Sequence, residues 1–274
     1  MTNDLFDLTG QVAVITGGTG FLGQQHAQAI RKAGGIPILA DIRLDKIEPG
    51  SLEWNENFGE KACAIQVDVT KPDSVNSLLK RALDEFGKID ILINNAANNP
   101  KMEKTTDVEF SRLEHFPLRQ WESDIAVGLT GAFLCSQVIG TEMARCKKGV
   151  IVNVASDLAV IAPDQRLYRQ QGLTDDRQPV KPITYSVVKT GLIGLTRYLA
   201  TYWAEYSIRV NAISPGGVYN DQPEEFVQRL SSLIPMGRMA NADEYQAAII
   251  FLCSDASSYM TGTNLVVDGG RSSW

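Results

Sequence analysis

The stretch Thr16-Gly-Gly-Thr-Gly-Phe-Leu-Gly23 limits the possible folds of this chain more than any other. It follows the apolar run Val12-Ala-Val-Ile15 and precedes a helical pattern through Ala27, Ile30 and Ala33. A strand, a glycine turn and a helix in that order place free backbone N–H groups at a helix N-terminus. Those groups and the helix dipole suit a pyrophosphate. Glycine lets the backbone turn tightly and approach phosphate without a Cβ in the way. A glycine cluster alone can also be a plain tight turn, so the rest of the chain has to decide.

The rest alternates. Ile36-Pro-Ile-Leu-Ala40 reads as a second strand closing on Asp41. An acid about 20 residues after such a turn is placed to accept hydrogen bonds from an adenosine ribose, and it repels a 2′-phosphate. Arg43 follows the acid, so NAD is expected rather than NADP. Ala62–Val67 reads as a third strand ending in Asp68-Val69, and a helix from the Thr70–Ser74 start runs through Leu78, Ala82 and Phe86 to Gly87. Ile89–Ile93 is a fourth strand leading into Asn94-Asn95-Ala96-Ala97. Residues 98–119 are polar and aperiodic, and a long helix is expected over 120–145. Val150–Val154 is a fifth strand closing on Ala155-Ser156; an irregular charged segment, 162–181, then leads to a helix carrying Tyr185. Ile208–Ile213 precedes Ser214-Pro-Gly-Gly217, helices are expected over 224–233 and 242–253, and Asn264–Asp268 is the last strand. Near-continuous apolar strands alternating with helices predict an α/β fold, a doubly wound parallel sheet covered on both faces, in one domain over 1–274.

Net charge is −6 and the pI about 5.1, which gives no electrostatic case for nucleic acid or acidic membrane surfaces. Cys63, Cys135, Cys146 and Cys253 form no C-x-x-C pair, and with only His26 and His115 a metal site is not expected. Buried, reduced thiols, no signal-like N-terminus and no apolar run of membrane-spanning length point to a cytoplasmic protein.

Tyr185 and Lys189 stand at i and i+4 and share a helix face. A phenol ionises near pH 10, but a nearby ammonium favours the phenolate. Tyr185 is therefore a workable acid/base for a carbonyl oxygen while hydride moves at carbon. Ser156, at the carboxyl end of a strand, lies where open α/β sheets bind ligands.

In this order and spacing, Thr16-Gly17…Gly23, Asp41, Asp68, Asn94-Asn95-Ala96, Ser156, Tyr185…Lys189, Pro215-Gly216, Tyr259-Met-Thr-Gly262 and Val267-Asp-Gly-Gly270 resemble the short-chain dehydrogenase/reductase superfamily over nearly the whole chain. The resemblance implies a Rossmann-type domain with a seven-stranded parallel sheet, in a homo-dimer or homo-tetramer built on two long helices. It implies Tyr185 as acid/base, Lys189 on the nicotinamide ribose and Ser156 positioning substrate oxygen. Gly17, Gly20, Phe21, Leu22 and Gly23 would lie on the phosphates and Asp41 on the ribose. Asp68 and Val69 would meet the adenine, Asn95 and Ala96 the middle of the cofactor, and Val218 and Asn220, after Pro215-Gly216, the carboxamide. The stretch from Thr184 through Arg271-Ser-Ser-Trp274 is also similar to oxidoreductases of surface-sugar biosynthesis.

Three departures matter. Phe21 stands where shorter members carry the middle glycine, a spacing closer to the extended, nucleotide-sugar branch; the ending fits the shorter branch. Gly128 replaces the family's fourth catalytic residue, an asparagine whose helix kink and carbonyl serve a proton relay, which is expected to survive weakened. Twenty-nine positions separate Ser156 from Tyr185 (185 − 156), and the arginines of 162–181 with Lys181 suggest a polar, even anionic substrate, a solvated loop or subunit contact being the other reading. The resulting expectation is an NAD-dependent alcohol/ketone oxidoreductase of a small sugar-like substrate. Its alternatives are a nucleotide-sugar epimerase or dehydratase that recycles NAD, and a non-catalytic NAD-binding protein.

Overall fold

A computed structural model describes residues 4–45, 47–99 and 111–274. Seven strands form one parallel sheet: β1 (Val12–Thr16), β2 (Ile36–Asp41), β3 (Cys63–Gln66), β4 (Ile91–Asn94), β5 (Gly149–Val154), β6 (Ile208–Pro215) and β7 (Asn264–Val267). Their order is β3-β2-β1-β4-β5-β6-β7. The order reverses between β1 and β4, and a crevice opens above their carboxyl ends, the usual ligand position in open α/β sheets. The central strands β1, β4 and β5 are buried throughout, which is why their sequences are apolar rather than alternating.

The helices are α1 (Phe21–Lys32), α2 (Leu52–Phe58), α3 (Pro72–Phe86), α4 (Leu118–Ile125), α5 (Gly131–Cys146), α6 (Ile183–Tyr202), α7 (Glu224–Ser231) and α8 (Gln246–Cys253). One core packs α3, α5 and α6 on one face of the sheet through Leu78, Cys135, Ile139, Met143 and Leu199. The other packs α1, α2 and α8 on the opposite face through Ala27, Ile30, Trp54, Phe58, Ile249 and Leu252. The two faces meet the doubly wound expectation.

Four local differences from the sequence reading have physical causes. The helix α2 has only two buried apolar residues, Trp54 and Phe58, one turn apart, so its pattern is too short to register; Ser51 starts it by accepting the Trp54 N–H at 3.1 Å. The long helix expected over 120–145 is α4 and α5 joined by a π-helical turn, Ala126–Thr130. That run, Leu118–Cys146, is long and apolar enough to cross a membrane by length and composition, contrary to the sequence expectation; it packs its Cys135, Ile139 and Met143 into the protein core instead. Cys135 and Cys253 are buried, and burial pushes both thiols up to about 12, but Cys146 closes α5 in solvent.

Candidate active site

The glycine turn is held in shape by the strand beside it. Gly17 sits in the left-handed region at φ +63°, and a β-carbon on it would stand 2.9 Å from the Ala96 Cα. The Asn95 side-chain amide donates to the carbonyls of Thr16 and Gly17 at 3.0 and 3.1 Å. The Thr16 hydroxyl oxygen accepts the N–H groups of Asn95 and Ala96 at 3.0 and 3.1 Å. The Gly20 N–H donates to the Gly17 carbonyl, and Gln24 makes the first intrahelical bond, back to Gly20. The N–H groups of Phe21, Leu22 and Gly23 thus precede the first α1 bond, at a helix start with no side-chain cap and no acid in its first turn. Gly23 is buried beneath the turn, where a β-carbon would strike the Gly17 carbonyl oxygen; its small size lets α1 begin close to β1. It contributes shape rather than a wall of the cleft.

That cleft has a volume of about 640 Å³. At one end Asp41 accepts the Thr19 N–H on Oδ2 at 3.1 Å and the Arg43 N–H on Oδ1 at 3.2 Å. Asp68 accepts both the hydroxyl and the N–H of Thr70, at 2.7 and 2.9 Å, and the hydroxyl bond chiefly holds its carboxyl below the ordinary range. Asp41, Arg43, Asp68 and Val69 line this end, Gly17, Gly20, Phe21, Leu22, Asn95 and Ala96 the middle, and Pro215, Gly216, Val218 and Asn220 the far wall. The Asn220 N–H donates to Gln222 Oε1 at 2.7 Å, and Gln222 donates back to the Val218 carbonyl at 2.9 Å, closing the loop after β6. A glycine cradle, an uncapped helix start and a carboxylate at the end of β2 are a shape and donor set that fit a dinucleotide.

At the other end stand Ser156, Tyr185 and Lys189. Ser156 follows β5; Tyr185 and Lys189 lie on the first turns of α6. That helix start is pinned by Asp124, buried on α4, which accepts the Thr184 hydroxyl at 2.5 Å, Gln120 at 2.7 Å and Asn98 at 3.0 Å. Lys189 is 5% exposed and donates to the Val154 carbonyl at 2.7 Å. Burial first, and the ammonium of Lys181 second, bring its pKa down to about 8. The half-buried Tyr185 phenol is held above its usual value by burial; the hydrogen bond with Ser156 opposes this and the Asp157 charge adds to it. Lys181 Nζ lies 3.8 Å from the Tyr185 ring centre and donates to Asn99 at 2.8 Å.

The 162–181 segment is not a simple solvated loop. Leu167 and Tyr168 are buried and pack with Leu230, Ile234 and Met239, the Tyr168 and Phe226 rings lying 5.7 Å apart, as a small apolar roof beside the mouth. The expected cationic lining is corrected. Arg166 pairs with Asp164 at 2.7 Å and Arg169 with Asp175 at 3.6 Å, both arginines exposed, and neither lines the cleft. Lys181 does, and so does Arg271, which the sequence reading passed over together with Asp157. Arg271 Nη1 donates to Asp157 Oδ2 at 2.7 Å across 114 positions, a separation no local pattern reveals. Gly128 sits buried in the π-turn, and a β-carbon there would stand 2.6 Å from Val188 Cγ1.

Comparison with known proteins agrees with this arrangement. A family model described as short chain dehydrogenase matches residues 11–168, and one described as Enoyl-(Acyl carrier protein) reductase matches residues 176–272. The chain is 33% identical over 270 residues to an NAD-dependent glycerol dehydrogenase of Listeria innocua, covering 97% of this chain and 95% of that protein. It is 32% identical over 274 residues to an NADP-dependent mannitol dehydrogenase of Alternaria alternata, covering 97% and 94%. Its fold matches a gluconate 5-dehydrogenase from Burkholderia cenocepacia, crystallised with NADP and tartrate, at a TM-score of 0.85 and 26% identity over the whole of both chains. With the sheet order, the glycine cradle and these matches in hand, the chain belongs to the short-chain dehydrogenase/reductase family and is an oxidoreductase of alcohol and carbonyl groups.

Proposed function

We propose that the protein interconverts a secondary alcohol and a ketone on a small polyol or sugar-like substrate, using NAD, with Tyr185 moving the proton. The observation that carries this reading is the convergence of Ser156, Tyr185 and Lys189 at one end of a cleft whose other end is Asp41 and Asp68, with the glycine turn between. A bound nicotinamide supplies the hydride acceptor or donor. Tyr185, as phenolate, takes the hydroxyl proton of the alcohol, and returns it to the carbonyl oxygen in reduction. Lys189, fixed by Val154 with its Nζ 5.8 Å from the Tyr185 ring centre, favours the phenolate, and it would also bind the nicotinamide ribose. Ser156 orients the reacting oxygen. The backbone N–H groups at the start of α1 hold the pyrophosphate, and Asp41 holds the ribose and disfavours a 2′-phosphate.

The polyol assignment is supported by the substrates in the relatives' names and by the polar residues Lys181, Asn99, Gln222 and Arg271 in the cleft lining. Exposed aromatics on α5 and α6, among them Phe133 and the stacked Tyr198 and Tyr202, suit association of copies through these two helices. The test is turnover of glycerol, mannitol and gluconate with NAD+ and NADP+ in parallel, read as reduced cofactor formed. NAD-linked turnover by the wild type, lost in Tyr185→Phe, is expected. Equal activity of Tyr185→Phe overturns the reading.

A further inference from the structure

Ser156 has one hydroxyl hydrogen and more than one claimant for it. Its Oγ donates to Asp157 Oδ1 at 2.9 Å while accepting the Leu158 N–H at 3.2 Å, and the Tyr185 hydroxyl is its third neighbour. Asp157 is 3% exposed and well provided for without the serine: Oδ1 also accepts the Leu158 N–H at 2.8 Å, and Oδ2 accepts Arg271 at 2.7 Å. Arg271 is 8% exposed and is brought to this spot by a rigid turn after β7. Gly269 and Gly270 adopt positive φ there, and Asp268 accepts the N–H groups of Gly270 and Ser272 at 2.9 and 2.7 Å.

On the reading of Ser156 and Tyr185 as reacting groups given above, we propose that Asp157 and Arg271 form a positioning pair, which holds the Ser156 hydrogen in the resting enzyme and yields it to the reacting oxygen. When Ser156 turns to donate to the phenolate or the substrate oxygen, no bond of Asp157 other than the serine's is lost, so the carboxylate is not left bare. Arg271 offsets the carboxylate charge and so sets how strongly Asp157 retains the hydrogen. The pair also acts through space on Tyr185. Among the described residues, the charged groups facing that phenol are Lys181 from the preceding loop, Lys189 on its own helix and Asp157 from the turn after β5. Arg271 stands behind Asp157, with Tyr245 beside the same carboxylate and Asp164 near the guanidinium. Neither Asp157 nor Arg271 takes part covalently.

Opposite charges in one pair give opposite signatures. Removing the Asp157 charge eases ionisation of Tyr185; removing Arg271 leaves the carboxylate uncompensated and hinders it. The experiment tracks Tyr185 ionisation by NMR of protein carrying 13Cζ-labelled tyrosine, with Tyr185→Phe to assign the resonance, so that it does not depend on turnover. Asp157→Asn, which keeps the shape, is expected to move the titration down by about half a unit or more, and Arg271→Met up by a similar amount. The double variant is expected to return close to the wild type. In parallel, Asp157→Ala is expected to lower kcat for the polyol about tenfold with KM changed less than about threefold, and Asp157→Asn to recover most of it. If Arg271→Met does not fold, Arg271→Lys is expected to give a smaller upward movement. Tyr185 titrations that stay in place, or that move the same way in Asp157→Asn and in the folded Arg271 variant, overturn the proposal. Opposite movements without turnover of any polyol by the wild type would support the pair and sink the substrate reading instead.

Discussion

Lys181 Nζ stands 3.8 Å from the centre of the Tyr185 ring, nearer than Lys189 Nζ at 5.8 Å. Two ammonium groups among the described residues therefore lie near the Tyr185 ring, and Lys181 precedes the helix that carries it. Lys181→Gln removes a charge that favours the phenolate. The acid limb of the kcat/KM profile for alcohol oxidation is expected to move to higher pH, with activity near neutrality falling about three- to tenfold. A profile that keeps its acid limb while KM rises would place Lys181 on the substrate alone.

Val188 occupies the room a side chain would need at position 128. Valine is stiff at χ1 and cannot swing aside cheaply. Gly128→Asn is therefore expected to destabilise the protein by about 1–3 kcal/mol and to lower activity. Val188→Ala in the same chain should recover much of the stability, as read from urea unfolding midpoints. A gain in turnover from Gly128→Asn alone would show that the relay is impaired and that the helix pair yields easily.

Asp41 is oriented by two backbone N–H groups, with the Arg43 side chain on the same rim of the cleft. On the proposed role of Asp41, Asp41→Ala would remove the ribose acceptor and the charge opposing a 2′-phosphate. The ratio of kcat/KM for NAD+ over NADP+ is expected to fall at least about tenfold, mostly through the KM for NAD+. An unchanged ratio would move cofactor choice elsewhere.

Tyr168 packs on Phe226, and both line the cleft that holds Ser156 and Tyr185. Tyr168→Ala should loosen the roof while leaving the glycine turn untouched. KM for the polyol is expected to rise about tenfold with cofactor affinity within about twofold of the wild type. Deleting 165–178 outright would also bare Leu230 and Ile234, so the single substitution is the cleaner probe of this segment.

His26 is fully buried on α1 with neither ring nitrogen hydrogen-bonded, and burial brings its pKa down to about 4 from 6.5. The unfolded chain then binds more protons than the folded one between those values, so stability is present above about pH 6.5 and is lost as pH falls toward 4. His26→Leu is expected to flatten the acid side of the stability curve, up to about 3 kcal/mol at the extreme. Urea midpoints of both proteins across that window should diverge as pH drops; parallel curves would mean the ring is solvated on protonation.

The sheet and the glycine-turn end of the cleft were legible because their signals are local. Each strand is an apolar run closing on a polar or small residue, and the residues that close them, Asp41, Asn95 and Ser156, are the ones the sheet order brings to one crevice. Tyr185 and Lys189 were legible because four residues on a helix are one turn. The features that stayed hidden are long-range or low in contrast. The Asp157–Arg271 bond joins positions far apart in the chain, and nothing near either residue hints at the other. Leu167 and Tyr168 are two apolar residues inside a charged stretch, and their burial depends on Phe226 and Leu230 folding over them. The arginines beside them satisfy the segment's own carboxylates, which sequence alone could not apportion.

The π-turn at Ala126–Thr130 also acts as a phase shift. A wider turn takes up one more residue, so it rotates α4 by about 100° relative to α5, in a helix of 3.6 residues per turn. That rotation lets Asp124 aim at Thr184 while Cys135, Ile139 and Met143 aim at the core from the same continuous rod. Removing one residue from the turn would keep the rod helical and leave its sequence almost unchanged, yet would swing Asp124 away from Thr184. The number of residues in this turn thus sets where Asp124 points, independently of the room that Gly128 leaves for Val188.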